Sequence, residues 1–188
     1  MSRRVGVLAV QGAFAEHERA FAKAGADVFE IRQTADIERS FDALVLPGGE
    51  STVQGKLLRD LKLLAPLRQR IAEGLPVFAT CAGLILLAKQ IANDSAVWFG
   101  LLPVTVRRNA YGRQLGSFTT KGQVGSLADV PMTFIRAPAI ESVSDNVNVL
   151  STFDGKATGV RHGNIWAFAW HPELTTDERI FAAFLAWC

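Results

Sequence analysis

Cys81 stands in the segment PVFATCAGLILLA (76–88), between one apolar run and another, with Ala79 and Gly83 two residues to either side. Small residues at those places suit a tight strand-to-helix turn, because the helix must pack back against the strand. A thiol on such an elbow meets unpaired helical N–H groups and the positive end of the helix dipole, which favour the thiolate. That is the chemistry of a nucleophile. The competing reading is a buried structural cysteine, since free Cys is among the most buried residue types.

A thiol nucleophile needs a base, and the chain has three histidines. His17 falls in a helical pattern with Glu16 and Glu18 beside it, which points to a solvated or interface role rather than catalysis. His162 begins His162-Gly163-Asn164, a turn pattern in which an exposed polar side chain is expected. His171 directly follows the apolar run IWAFAW and precedes Pro172 and Glu173. A carboxylate two residues on can hold the imidazole in one tautomer and stabilise its cation. Taken alone His171 also reads as a capped strand-end histidine; its place matches that of Cys81, which favours the base.

Pro47-Gly48-Gly49-Glu50-Ser51-Thr52 is a third candidate. Paired glycines let backbone N–H groups come close to a ligand. Such donors form half of an oxyanion hole, with the amide of Ala82 as the other half. The alternative is a plain turn with Ser51 or Thr52 as helix N-cap. A phosphate loop is excluded by spacing, because Glu50 stands where a glycine is required and Leu57 where Ser or Thr is required. No G-x-G-x-x-G follows any strand pattern either.

The elements that must position these residues follow from the apolar pattern. Val5–Val10, Val28–Ile31, Ala43–Leu46 and Pro76–Ala79 read as strands buried on both faces. Phe14 and Phe21 share one face of a helix, Leu57–Glu73 reads as one or two helices with Pro66 in a first turn, and Gly83–Ile91 reads as another. This alternation predicts an α/β fold with a mostly parallel central sheet and helices on both faces. After Gly100 the pattern changes to short β-like runs: Val104–Val106, Thr133–Arg136, Val147–Thr152, Thr158–Val160 and Ile165–Ala169. These predict antiparallel additions, and Thr176–Trp187 predicts a last helix. Ligands in such sheets bind beyond the carboxyl ends of the strands, which is where Gln11-Gly12, Gly48-Gly49, Cys81 and His171 all fall.

The 188 residues fit one domain, 1–188, with enough chain to bury a core. The composition is 49% hydrophobic and 20% charged, which excludes disorder. A net charge of +2, with scattered basic residues, gives no case for nucleic acid. The longest stretch free of Asp, Glu, Lys and Arg, Gly74–Ala88, is too short and too broken to span a membrane. VGVLAV followed by Gln11-Gly12 does not make a signal peptide. The two cysteines have neither disulfide-framework nor metal-ligand spacing, so a reduced, cytoplasmic protein is expected, with Cys188 an exposed terminal thiol without a role.

With the cysteine elbow, the Gly-Gly loop and His-Pro-Glu in that order, the chain resembles the class I, triad-type glutamine amidotransferases, which have a flavodoxin-like fold. It looks specifically like the glutaminase subunits of pyridoxal 5'-phosphate synthase. The resemblance is carried by VGVLAVQGAFAEH (5–17), LVLPGGEST (44–52), FATCAGLILLAK (78–89), RRNAYGRQLGSF (107–118), FIRAPAI (134–140) and FAWHPELT (168–175). It implies Cys81 as nucleophile and His171 with Glu173 as the rest of a triad. It further implies glutamine held by Gly49, Glu50, Ser51, Arg108, Ile135 and Arg136, with an oxyanion hole at Gly49 and Ala82. Gln11 and Gly12 are implied in contact with the partner and in activation. Arginines suit the α-carboxylate of glutamine, and Glu50 suits its α-ammonium. The implied reaction is hydrolysis of glutamine to glutamate and ammonia through a γ-glutamyl thioester. The resemblance also implies that ammonia passes to a synthase subunit in a large hetero-oligomer, with no cofactor and no metal in this chain.

Two departures from the family pattern are visible. Ala79 stands where the family usually has Gly, and the 114–127 region is shorter and less acidic than expected. Two rival readings are a free-standing γ-glutamyl hydrolase or deglycase of the same superfamily, and a non-catalytic binding subunit in which Cys81 is merely buried.

Overall fold

A computed structural model describes residues 2–110 and 117–188. The first half runs β1 (Arg4–Leu8), α1 (Phe14–Lys23), β2 (Asp27–Ile31), α2 (Thr34–Ile37), β3 (Ala43–Leu46), α3 (Ser51–Asp60), α4 (Leu64–Ala72), β4 (Val77–Thr80) and α5 (Ala82–Leu87). Then come β5 (Ala88–Ile91), β6 (Leu102–Arg107), β7 (Ser117–Val124), β8 (Leu127–Ile135), β9 (Ala139–Val143), β10 (Asn148–Phe153), β11 (Lys156–His162) and β12 (Ile165–Phe168). A 3-10 turn at Pro172–Leu174 and α6 (Arg179–Trp187) come last.

The main sheet has the order β10-β11-β12-β4-β3-β1-β2. From β2 to β12 the pairing is parallel, and β11 and β10 add on antiparallel. The burial of both faces is written in the alternation of side chains. Leu44, Leu46, Val77 and Ala79 join one core with Leu58 of α3, Leu67 and Ile71 of α4, and Leu84 of α5. Ala43, Val45 and Phe78 join the other with Phe21 of α1 and Phe181 and Phe184 of α6. Phe21 and Phe78 meet edge to face with centroids 5.3 Å apart, a favoured geometry for aromatic pairs. The fold is therefore α/β with a mostly parallel central sheet between two helical layers.

From α5 onward the structure differs from the sequence reading in three ways. First, β12 lies parallel to β4 inside the main sheet, Ala167 opposite Ala79. Only its other neighbour, β11, is antiparallel, through the turn at Gly163. Second, Gly83–Ile91 is not one helix. The carbonyls of Leu86 and Leu87 accept the N–H groups of Phe99 and Leu101, at 2.9 and 3.0 Å. Ala88 turns extended, with φ −57° and ψ 140°, and β5 pairs with β6 in a small sheet ordered β5-β6-β9. Third, β7 and β8 form a separate hairpin, of which only the end of β8 was legible.

Smaller shifts have local causes. The chain leaves β1 at Leu8 rather than Val10. Leu57–Glu73 is broken by Lys62, whose φ of +58° ends α3, and α3 itself begins six residues earlier, at Ser51. Pro66 is the third residue of α4, in its first turn. The last helix starts at Arg179, whose N–H donates to Asp177 Oδ1 at 3.0 Å. Cys188 is half-buried rather than exposed, and burial pushes its thiol up.

Candidate active site

The carboxyl ends of β1, β3, β4 and β12 converge on one pocket of about 460 Å3. Its wall includes Gln11, Gly48, Gly49, Glu50 and Ser51 from the first two of these ends. Cys81 and His171 come from the other two, and Arg108, Ile135 and Arg136 close the opposite side. Ten residues singled out from the sequence thus share one cavity, together with Ala13, Ile85, Asn109 and Leu174. Gly12, Ala82 and Glu173 do not line it; they stand behind it. The stretch RRNAYGRQLGSF (107–118) includes residues 111–116, which lie outside the described residues.

Cys81 is the elbow itself. Its φ is +47° and ψ −100°, a conformation that costs a non-glycine residue on the order of 1–3 kcal/mol and persists only where surrounding structure enforces it. The enforcement is visible. Cys81 N–H donates to Phe168 O at 2.8 Å, Ile85 N–H donates back to Cys81 O at 3.2 Å, and α5 starts at Ala82. A Cβ on Gly83 would lie 2.2 Å from Leu46 O, so no larger residue fits between α5 and β3. Ala79 is tolerated because its methyl joins the core between Leu46 and Ala167.

His171 N–H donates to Thr133 O at 2.8 Å, which fixes the backbone beyond β12. Its ring Nδ1 lies 2.6 Å from Glu173 Oε1, and both side chains are buried. Burial disfavours the imidazolium, but hydrogen bonds to Cys81 and Glu173, with the charges of both, outweigh it. The His171 pKa is pushed up to about 10. Burial likewise raises the carboxyl of Glu173, and the nearby His17 with the hydrogen bond and charge of His171 overcomes this, holding it below the usual carboxylate range. The arrangement favours an imidazolium backed by a carboxylate in the pocket that holds the thiol, which is the setting a nucleophilic thiol requires.

The Gly-Gly loop is held from below. A Cβ on Gly48 would meet His171 Cε1 at 2.4 Å and Cys81 Cβ at 3.5 Å, so the imidazole rests on this glycine. Gly48 N–H donates to Thr80 Oγ1 at 3.0 Å and Glu50 N–H to Gln11 Oε1 at 2.9 Å. Gly12, at φ +99°, lies against Gly48, where a Cβ would come 2.0 Å from the carbonyl oxygen. Ser51 and Thr52 do not cap α3; Glu50 is the N-cap, without a side-chain cap bond. Thr52 instead accepts from Arg108 at 2.6 Å, and Arg108 also donates to Asp94 Oδ2 at 2.6 Å. Both ends of that guanidinium are thereby fixed at the pocket wall. Arg136 is exposed and adopts φ +42° just past β8.

Three residues with structural importance at this site escaped the sequence reading. His17 is fully buried behind Glu173, not solvated. Gln54 is fully buried and donates to Gln11 O at 2.9 Å and Pro47 O at 3.2 Å, joining the two loops. Asp94 anchors Arg108. His17 carried a signal, since Phe14, His17 and Phe21 fall on one helical stripe; Asp94 carried none. His162, as expected, closes a turn, at the opposite end of β12 from the pocket.

Comparison with known proteins identifies the family and the fold. The model of the SNO glutamine amidotransferase family matches residues 7–188. A protein of Desulfitobacterium hafniense (strain DSM 10664 / DCB-2), named pyridoxal 5'-phosphate synthase subunit PdxT, is 58% identical over 97% of this chain and 92% of its own length. A PdxT subunit from Bifidobacterium longum (strain NCC 2705) is 50% identical over 96% of this chain and 98% of its own. A crystal structure described as glutamine amidotransferase superposes with a TM-score of 0.92 at 41% identity, covering 97% of both chains. The PurLQS structure from Thermotoga maritima, at 19% identity and a TM-score of 0.67, covers 100% of this chain and 97% of its own and shares the fold.

Proposed function

The chain belongs to the SNO glutamine amidotransferase family, and on that premise we propose that it is the glutamine-hydrolysing subunit of pyridoxal 5'-phosphate synthase, working through Cys81, His171 and Glu173. The PdxT relatives support the activity and the synthase partner. The observation that carries the triad is Cys81 at φ +47°, sharing one pocket with a His171 whose Nδ1 lies 2.6 Å from a buried Glu173.

In this reading Cys81 Sγ, as thiolate, attacks the side-chain amide carbon of L-glutamine. The oxyanion accepts N–H groups from Gly49 and from Ala82, whose place in the first turn of α5 leaves its N–H without a helical partner. His171 gives its proton to the departing nitrogen, releasing ammonia and leaving a γ-glutamyl thioester. Water, deprotonated by His171, then cleaves the thioester to glutamate and frees the thiol. Glu173 keeps the imidazole in one orientation through both halves. Arg108 and Arg136 take the α-carboxylate of glutamine, Glu50 its α-ammonium, and Ser51 and Ile135 complete the pocket.

Ammonia goes to a synthase subunit within a large hetero-oligomer, and Gln11 with Gly12 faces that partner. Their hold on the Gly48–Glu50 loop supports this, since a contact at Gln11-Gly12 is felt at the oxyanion donors. Residues 1–188 act as one amidotransferase domain in the cytoplasm.

The test is glutamate release from glutamine by the chain alone and with its synthase subunit, with Cys81→Ala as the blank. Release that rises with the synthase and vanishes in the blank is expected. Equal release without the partner would favour a free-standing hydrolase, and none in a confirmed complex would favour a binding subunit.

A further inference from the structure

His17 is fully buried on α1, and the mechanism above does not use it. Its ring Nδ1 lies 2.8 Å from Ala13 O. A carbonyl only accepts, so Nδ1 carries the hydrogen. The other nitrogen, Nε2, lies 3.2 Å from Thr80 Oγ1 and 3.5 Å from Glu173 Oε2. That oxygen is the one His171 does not bind, and it is buried with no hydrogen-bond partner among the described residues. A buried carboxylate oxygen left without a compensating neighbour is costly. With a second proton on Nε2, His17 donates toward that oxygen and is the group placed to compensate it.

The same ring joins the two loops of the pocket. Thr80 Oγ1 accepts the N–H of Gly48, and Gly48 O accepts the N–H of Ala13, at 3.0 and 2.9 Å. His17 therefore stands where the first turn of α1, the Gly-Gly loop and Glu173 meet.

We propose that His17 is a positioning residue for the triad: it fixes the rotation of the Glu173 carboxylate from the side opposite His171 and keeps that carboxylate in register with Ala13 and Gly48. The proposal rests on the triad reading. It says that catalysis depends on two histidines flanking one carboxylate, only one of which touches substrate. A merely packed histidine, edge-on to Phe78, would predict no such dependence.

Two substitutions separate these roles. Asparagine places its amide near the Nδ1 position and keeps the donor to Ala13, but leaves nothing facing Glu173. Glutamine reaches the Nε2 position and restores a donor there. The first readout is the rate at which iodoacetamide alkylates Cys81, followed by peptide mass so that Cys188 is separated. We expect His17→Asn to slow it about tenfold and His17→Gln to regain most of the loss. In the complex with the synthase subunit, His17→Asn lowers kcat by about the same factor with KM for glutamine within about twofold.

Wild-type alkylation in a folded His17→Asn, or a His17→Gln as slow as His17→Asn, would overturn the proposal. Should His17→Asn fail to fold, 15N-histidine spectra of wild type and Glu173→Gln decide. The His17 signal must move with the Glu173 substitution, and an unmoved signal overturns the proposal. Rapid alkylation of wild-type Cys81 without glutamate release in the complex would count against the glutaminase reading and leave the His17 result standing.

Discussion

Nδ1 of His171 lies 2.6 Å from Oε1 of Glu173, two residues along a chain that passes through Pro172 in a single 3-10 turn. Pro172 at the first position of that turn fixes φ and needs no hydrogen-bond acceptor. The spacing holds a buried acid against a buried base with little conformational freedom between them.

Replacing Glu173 by Gln keeps the shape but removes the charge that orients His171 and stabilises its cation. Glutamate release by the complex should fall by about 100-fold or more, mostly in kcat. A steady-state comparison of kcat and KM checks this.

The shifted groups set a pH dependence with a definite sign. His171 has a folded pKa of about 10, above its ordinary 6.5. Its stabilising contribution is complete below pH 6.5 and is lost as pH rises towards 10. Glu173 is shifted the other way, so its contribution is present above pH 4.5 and is lost as pH falls through its lowered value. The Tm difference between wild type and His171→Ala should shrink from pH 6.5 to 10. That between wild type and Glu173→Gln should shrink on acidification below 4.5. An NMR titration of His171 should place its midpoint near 10.

Gly48 and Gly83 are both closed to a methyl group, with different consequences. Gly83→Ala presses on a strand carbonyl, Leu46 O at 2.2 Å, and should cost about 1–3 kcal/mol of stability. Gly48→Ala presses on the His171 ring at 2.4 Å, so it should abolish turnover while unfolding later than Gly83→Ala. Denaturant melts set beside glutamate release distinguish the two.

Asp94 holds Arg108 by a 2.6 Å ion pair. Asp94→Asn loosens one end of the guanidinium, the other staying on Thr52, and KM for glutamine should rise roughly tenfold with kcat nearly unchanged, the size expected for one charge-assisted hydrogen bond. Arg108→Ala should raise KM further.

Much of this site was legible in the sequence because β1, β3 and β4 are short apolar runs that stop at glycine, cysteine or a polar pair. In a parallel sheet such stops gather at one edge. Cys81, Gly48-Gly49 and His171 each follow such a run. What was illegible depends on contacts distant in sequence. Ala88-Lys89-Gln90-Ile91 continues a helical pattern, and only the N–H groups of Phe99 and Leu101 taking the carbonyls of Leu86 and Leu87 turn it into a strand. The parallel course of β12 is set by β4, since the hairpin at Gly163 concerns only β11. His17 was masked by two glutamates beside it, although its spacing from Phe14 and Phe21 marked the buried stripe of α1.

Attack of Cys81 on glutamine is the step from which the rest of the proposed reaction follows. Its most direct test is the mass of the chain, in complex with the synthase subunit, after exposure to a glutamine analogue bearing a diazoketone in place of the amide. One adduct per chain is predicted, on the peptide containing Cys81, blocked by excess glutamine and absent from Cys81→Ala. No adduct, or an adduct that persists in Cys81→Ala, would contradict the account.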